Sequence, residues 1–224
     1  MGERDEQQPR RYRPGILGSM SEQRVHQPSH HREKVRETPL SRFFGYYPGT
    51  VSVITVATKT ERNIMSAGWH AALSMKPVLY GVAIGRERST HRLILEAGSF
   101  GVSFLPFSEA GVIAAVGSVS LQGGEDKFER FGVQVEDPIA TTAPIPKSAY
   151  LSYECTVYEV HPTGDHDWVV GEVQAVHYDP DAFDERWMLN PERAAAAIYY
   201  GRAEYQALGP EGARGSFFAS PKKR

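Results

Sequence analysis

Arg86, Arg88, His91 and Arg92 crowd around Ser89 and Thr90, immediately ahead of the apolar run Leu93-Ile94-Leu95 and the glycine at position 98. That order predicts a helix opening at a hydroxyl cap, Ser89 or Thr90, and stopping at Gly98. Its charges run against the helix dipole. A helix N-terminus carries roughly half a positive charge and favours Asp or Glu by ~0.3–1 kcal/mol per well-placed group, so basic residues oppose it unless an anion sits among them. Backbone N–H groups, one or two hydroxyls and a guanidinium are the partners a phosphate dianion needs. A solvated surface turn with scattered arginines is the plain alternative.

Upstream, Asn63 to Pro77 reads as a connection that is small and apolar yet carries Asn63, Trp69 and His70. Met65, Trp69 and Leu73 can wall an aromatic ring system, and the amides of small residues can bond its polar edge. Core packing is the simpler account of Met65 and Trp69 taken singly. The strand Val78 to Ile84 is large at Val78, Tyr80, Val82 and Ile84 and nearly bare at Gly81 and Ala83, which lets something flat approach its backbone. Residues Glu61 to Ala97 therefore read as a cradle for a nucleotide cofactor.

Other candidates carry weaker signals. Lys127, between Asp126 and Glu129 in a short helix from Glu125 to Phe131, reads as solvent-exposed. The turn His161 to Asp167 holds two His and two Asp too close along the chain to converge on a metal, and is an ordinary polar hairpin tip. His26, His30 and His31 form at most a weak metal tract, and no metal site is expected. The single cysteine, Cys155, excludes an intrachain disulfide and, within a strand pattern, reads as a buried apolar residue.

Five strand patterns position these residues: Thr50 to Ala57, Val78 to Ile84, Ser99 to Leu105, Ala149 to Val160 and Trp168 to Tyr178. Helices are expected at Ser89 to Ala97, at Ser108 to Gly117 with Ser108 as cap, and around Asn190 to Ala197. The 224 residues, 41% hydrophobic and 23% charged, suit one domain with its own core. Residues 1–38 lack apolar periodicity and are expected to be a disordered tail, with Met20 as an alternative start; 39–209 form the domain; 210–224 form a flexible tail. A net charge of −2 argues against nucleic acid as partner, and no apolar run is long enough for a membrane span, so a soluble, cytoplasmic protein is expected.

Several of these pieces together resemble the flavin reductase-like, FMN-binding split-barrel family, its flavoredoxin branch above all. The resemblance rests on Asn63 to Trp69 before Pro77, Ser89-Thr90-His91, Asp126-Lys127-Phe128, Gly164-Asp165-His166 ahead of Gly171-Glu172-Val173, and Tyr199-Tyr200-Gly201 with Tyr205. It implies a mainly β fold, a six-stranded antiparallel Greek-key split barrel with short flanking helices, assembled as a homodimer with FMN near the interface. It implies further that Asn63 and Trp69 touch the flavin, that backbone at Met65 and Ser66 meets its polar rim, and that Ser89 and Thr90 sit at the phosphate. Lys127, Tyr199 and Tyr200 match further cofactor positions. The phosphate cation expected beside the Ser89-Thr90-His91 turn is Arg86, Arg88 or Arg92. The implied activity is hydride transfer from NADH or NADPH to flavin, with His166 orienting the nicotinamide or the flavin edge. An FMN electron carrier of flavoredoxin type, fed by a redox partner protein, and a non-enzymatic FMN-binding protein are the alternatives.

Overall fold

The computed structural model describes residues 48–120 and 125–210, together with Arg36, Thr38, Pro39, Phe43 and Gly45. The chain divides into two units, Met1–Phe43 and Phe44–Arg224, and the architecture below is that of the second. The expectations for the N-terminal tail, its histidines and Met20, and for the last residues, lie largely outside the described residues.

Among the described residues, twelve strands are interspersed with a few helices. In chain order they are β1 (Gly49–Thr50), β2 (Ser52–Ala57), β3 (Arg62–Ala67), β4 (His70–Met75), β5 (Val78–Gly85), β6 (Ser99–Phe104), β7 (Val135–Glu136), β8 (Ile145–Pro146), β9 (Leu151–Pro162), β10 (His166–Tyr178), β11 (Ala196–Gly201) and β12 (Glu204–Leu208). The α-helices are α1 (Ser89–Ala97), α2 (Ala110–Ser118) and α3 (Lys127–Arg130). The main sheet has seven antiparallel strands in the order β3-β2-β6-β9-β10-β5-β4. Its two edge strands, β3 and β4, are consecutive in sequence and joined only by Gly68 and Trp69, so the sheet closes on itself along a seam of chain rather than a ladder. That is the split of a split barrel.

Strand periodicity builds two cores. On β2, Ile54 and Val56 face the barrel interior with Val82, Ile84, Phe100, Val102 and Val169, whereas Val53 joins Ile64, Ile113, Val116 and Phe128 in a second cluster that seats α2 and α3 outside the barrel. Cys155 is fully buried in the first core, as its strand position predicts.

Five readings are corrected. Asn63 to Pro77 is two strands, because Ser66, Ala67, Ala71 and Ala72, weak strand formers alone, are held by ladders to β2 and β5. With both counted, the sheet has seven strands rather than six. Ala194 to Ala197 does not extend a helix: β11 begins at Ala196, paired on both sides by β1 and β12. Neither Ser89 nor Thr90 caps α1, whose N-cap is Arg88 without a side-chain bond, and Ser108 lies in a short 3-10 turn ahead of α2. The C-terminal stop of α1 at Gly98, with φ 66°, is as expected.

Candidate functional site

Asn63 on β3, Thr90 in the first turn of α1 and Lys127 at the head of α3 are buried, at 2%, 1% and 3% exposure. The sequence around Lys127 explains its burial. Asp126 caps α3 by accepting the Phe128 N–H at 2.8 Å and holds Arg62 at 2.6 Å, while Phe128 anchors in the second core. Lys127 is thereby threaded inward, where its Nζ donates to the carbonyls of Ile64 and Val116, both at 3.1 Å. No carboxylate among the described residues pairs with it. Burial, with Arg88 nearby adding to the effect, pulls its pKa down to about 8. An ammonium so placed keeps one N–H and its charge for an anion.

Asn63 is the second unfinished group. Its Nδ2 donates to Thr90 Oγ1 at 2.9 Å and its Oδ1 has no partner among the described residues. Turning the amide over would give the Thr90 hydroxyl an acceptor and leave the NH₂ unmatched instead, so either orientation leaves one buried polar atom for a ligand. Asn63, Ser89, Thr90, Lys127, Arg88 and Met65 surround a pit of about 20 Å³.

Met65, Arg88 and Gly117 belong both to this pit and to a cavity of about 320 Å³. Ser66 and Ala67 of β3 and Gly68 just after it line the cavity, as do Ala83, Trp69, His166, Tyr199 and Tyr205. The Trp69 and His166 rings lie 5.1 Å apart at 54°, and those of Tyr199 and Tyr205 lie 5.0 Å apart. Trp69 is fixed by its Nε1, which donates to the Gly45 carbonyl at 3.1 Å, and by its own carbonyl, which accepts from Ala83 N at 2.9 Å. His166 Nδ1 bonds Asp165 Oδ1 at 2.8 Å. A carboxylate only accepts, so Nδ1 carries the proton and Nε2 is left without a protein partner among the described residues. A second cavity, of about 360 Å³, shares Gly68, Trp69 and Tyr199 and adds Thr50, His70 and Trp168.

The model of the flavin reductase like domain matches residues 44–209. The chain belongs to the flavin reductase-like family. Among the members it resembles is an FMN-binding protein of Thermus thermophilus, 34% identical, which superposes with a TM-score of 0.71 over 82% of this chain and 99% of that one. That protein has been seen with bound 1-cyclohex-2-enone and, separately, with p-hydroxybenzaldehyde. An NADH-dependent FMN reductase, AsuE2, of Streptomyces nodosus subsp. asukaensis is 28% identical over 182 residues, covering 80% of this chain and 90% of its own. Flavoredoxin of Desulfovibrio vulgaris (Miyazaki F), 20% identical with a TM-score of 0.68 over 84% of this chain and 98% of that one, shares the fold.

Within this family framework the structure gathers Asn63, Met65, Ser66, Trp69, Ser89, Thr90, Lys127, His166 and Tyr199 around the pit and its cavity. Three expected residues lie elsewhere. Arg86 is held by Asp167, with Nε at 2.7 Å from Oδ1, and Arg88 is the arginine that reaches both pit and cavity. Tyr200 follows Tyr199 on β11 and so points to the other face, where its hydroxyl donates to Gln206 at 2.7 Å. Leu73 is 45% exposed on the edge strand β4. The basic cluster at α1 also has a tertiary explanation: Asp167 takes Arg86 and His91, and Glu61 and Glu96 take Arg92. The flat group over Gly81 is the Trp168 indole, since a Cβ there would lie 2.5 Å from its Nε1. Sequence reading missed Gly117, which marked only the end of the expected helix Ser108 to Gly117; it lines both pit and cavity, and a Cβ there would meet the Ser66 hydroxyl.

Proposed function

We propose that this chain holds FMN in the joined pit and cavity and reduces it with NADH or NADPH, as an NAD(P)H:flavin oxidoreductase. The observation that carries the reading is Lys127, a buried ammonium with no carboxylate partner among the described residues, beside the unmatched amide of Asn63. A phosphate monoester satisfies both. Ser89, Thr90 and Arg88 complete its partners, Arg88 rather than Arg86 because Asp167 already holds Arg86. Trp69 and Tyr199 flank the ring system and exclude water, and the backbone at Met65 and Ser66 meets its polar rim. His166, which lines the cavity and bonds Asp165 through Nδ1, orients the nicotinamide or the flavin edge. FMN, when bound, supplies the hydride acceptor and the store of electrons, so the protein need provide placement rather than a nucleophile.

The aromatic walls of the second cavity, together with the ligands seen in the Thermus relative, favour a small cyclic carbonyl compound as one electron acceptor. Leu73, Met75 and Val78, exposed at the β4–β5 edge, suit contact with a second copy, and a homodimer is part of the proposal. The test is an anaerobic titration of the FMN-loaded protein with NADH and then NADPH. Bleaching of the flavin bands by either supports the reductase, and recovery of colour on adding cyclohexenone supports the carbonyl acceptor. Protein that stays yellow with both nicotinamides is an electron carrier fed by a partner, and protein that takes up no FMN defeats the reading.

A further inference from the structure

Asp167, the first residue after His166, is buried at 7% exposure and spends its carboxylate on two different elements. Its Oδ1 accepts from Arg86 Nε and Nη2 at 2.7 and 2.6 Å, on the turn that leaves β5. Its Oδ2 bonds His91 Nε2 at 2.8 Å, in the first turn of α1 next to Thr90. The backbone adds a contact on the same side, Arg86 N–H to the Asp165 carbonyl at 3.5 Å. In the β10–β5 ladder Asp167 stands opposite Ile84 and His166 opposite Gly85, so the three groups meet where the hairpin tip, the turn and the helix start converge. Arg86 holds the Asp167 carboxyl below the usual carboxylate range, so it stays an acceptor for both partners. None of Arg86, His91 and Asp167 lines the pit or its cavity.

We infer that Asp167 is a positioning residue that fixes the spacing between the phosphate-binding turn, through His91 and Arg86, and His166 at the reacting end, without itself touching the cofactor. This rests on the FMN reading above. Along β10, alternate residues point to opposite faces. His166 therefore turns toward the cavity as Asp167 turns into the clamp, and a shift of one moves the other. Hydride transfer needs its two carbon or nitrogen centres within about 3–3.5 Å, and loss of that alignment costs up to about a hundredfold in rate.

The experiment compares wild type, Asp167→Asn and His91→Ala, each measured well below its melting temperature for FMN affinity, riboflavin affinity and the anaerobic rate of flavin reduction at saturating NADH or NADPH. Asp167→Asn should weaken FMN about tenfold while changing riboflavin less than about threefold, and should slow reduction of the bound flavin about tenfold. His91→Ala, which loosens only the helix side, should lower the FMN preference with little change in rate. A merely structural aspartate would lower the melting temperature and leave both the FMN-to-riboflavin ratio and the rate at wild-type values; that result overturns the inference. If Asp167→Asn does not fold, His91→Ala and Arg86→Lys decide by the same ratio. A wild type that does not prefer FMN to riboflavin overturns the phosphate-site reading itself, and this inference with it.

Discussion

Lys127 and Arg88 approach one small pit from different elements, and what each does there depends on charge rather than on packing. Both face the place assigned to the phosphate, so Thr90→Val combined with Arg88→Ala should weaken FMN by about 10–100-fold, the size of one or two lost charge-assisted hydrogen bonds, and leave riboflavin nearly unchanged. Fluorescence titration with the two flavins checks this, and equal loss for both would remove the phosphate from the pit. Lys127 adds a pH dependence. Its pKa of about 8, set by burial and then by Arg88, makes it charged below that pH and neutral above. A phosphate dianion favours the charged form and raises the pKa in the complex, so binding takes up a proton above about pH 8 and FMN affinity falls as pH rises from there. Riboflavin affinity should stay level over the same range. An FMN-to-riboflavin ratio that is the same at pH 7 and pH 9 would mean that the ammonium does not meet the phosphate.

At the scale of elements, β5 shows how a correct pattern can acquire the wrong occupant. Its bare face at Gly81 is covered by the Trp168 indole from the neighbouring strand, so Gly81→Ala should overpack that contact and cost about 1–3 kcal/mol, read as a lowered melting temperature. Unchanged stability would mean that Trp168 swings away at no cost, which a shift in its fluorescence would reveal. The strands β2, β5, β6, β9 and β10 were legible because β-branched and aromatic residues recur at alternate positions. The strands β3 and β4 were not, since Ser66, Ala67, Ala71 and Ala72 take strand geometry from their ladder partners, which local sequence does not name. The candidate site was legible where a polar residue sat in odd company, as at Asn63 and Thr90, whereas Lys127 read as solvent-exposed between Asp126 and Glu129 and is in fact buried, only the family resemblance having pointed to it. It was not legible where a turn decides direction. The Arg88 N–H bonds the Gly85 carbonyl at 3.0 Å, and this reversal sends Arg86 and Arg88 to different partners.

For the molecule as a whole, a buried acid helps tie the irregular excursion between α3 and β9 to the barrel. Glu154 on β9 is fully buried and accepts from the backbone N–H groups of Ile139, Ala140 and Thr141 at 2.8, 2.9 and 2.6 Å, from the Thr141 hydroxyl at 2.9 Å, and from His177 Nε2 at 2.7 Å. Burial alone would raise its pKa. The bond from His177 and those from the excursion outweigh that and bring it down to about 2, from an ordinary value of 4.5. A carboxyl whose pKa is lower in the folded state stabilises the fold above its unfolded value, and that contribution is lost as pH falls through the folded one. The stabilisation from Glu154 should therefore be complete above about pH 5 and fade between there and about pH 2. Glu154→Gln keeps the shape but sets an NH₂ against donors that need an acceptor, so it should destabilise the protein at neutral pH by about 1–3 kcal/mol. It should also flatten the acid side of the stability curve. Urea unfolding of both proteins across pH 2 to 7 checks the sign: the two curves should converge toward low pH. Curves that run parallel throughout would place the acid sensitivity in other carboxylates and leave Glu154 with only its packing.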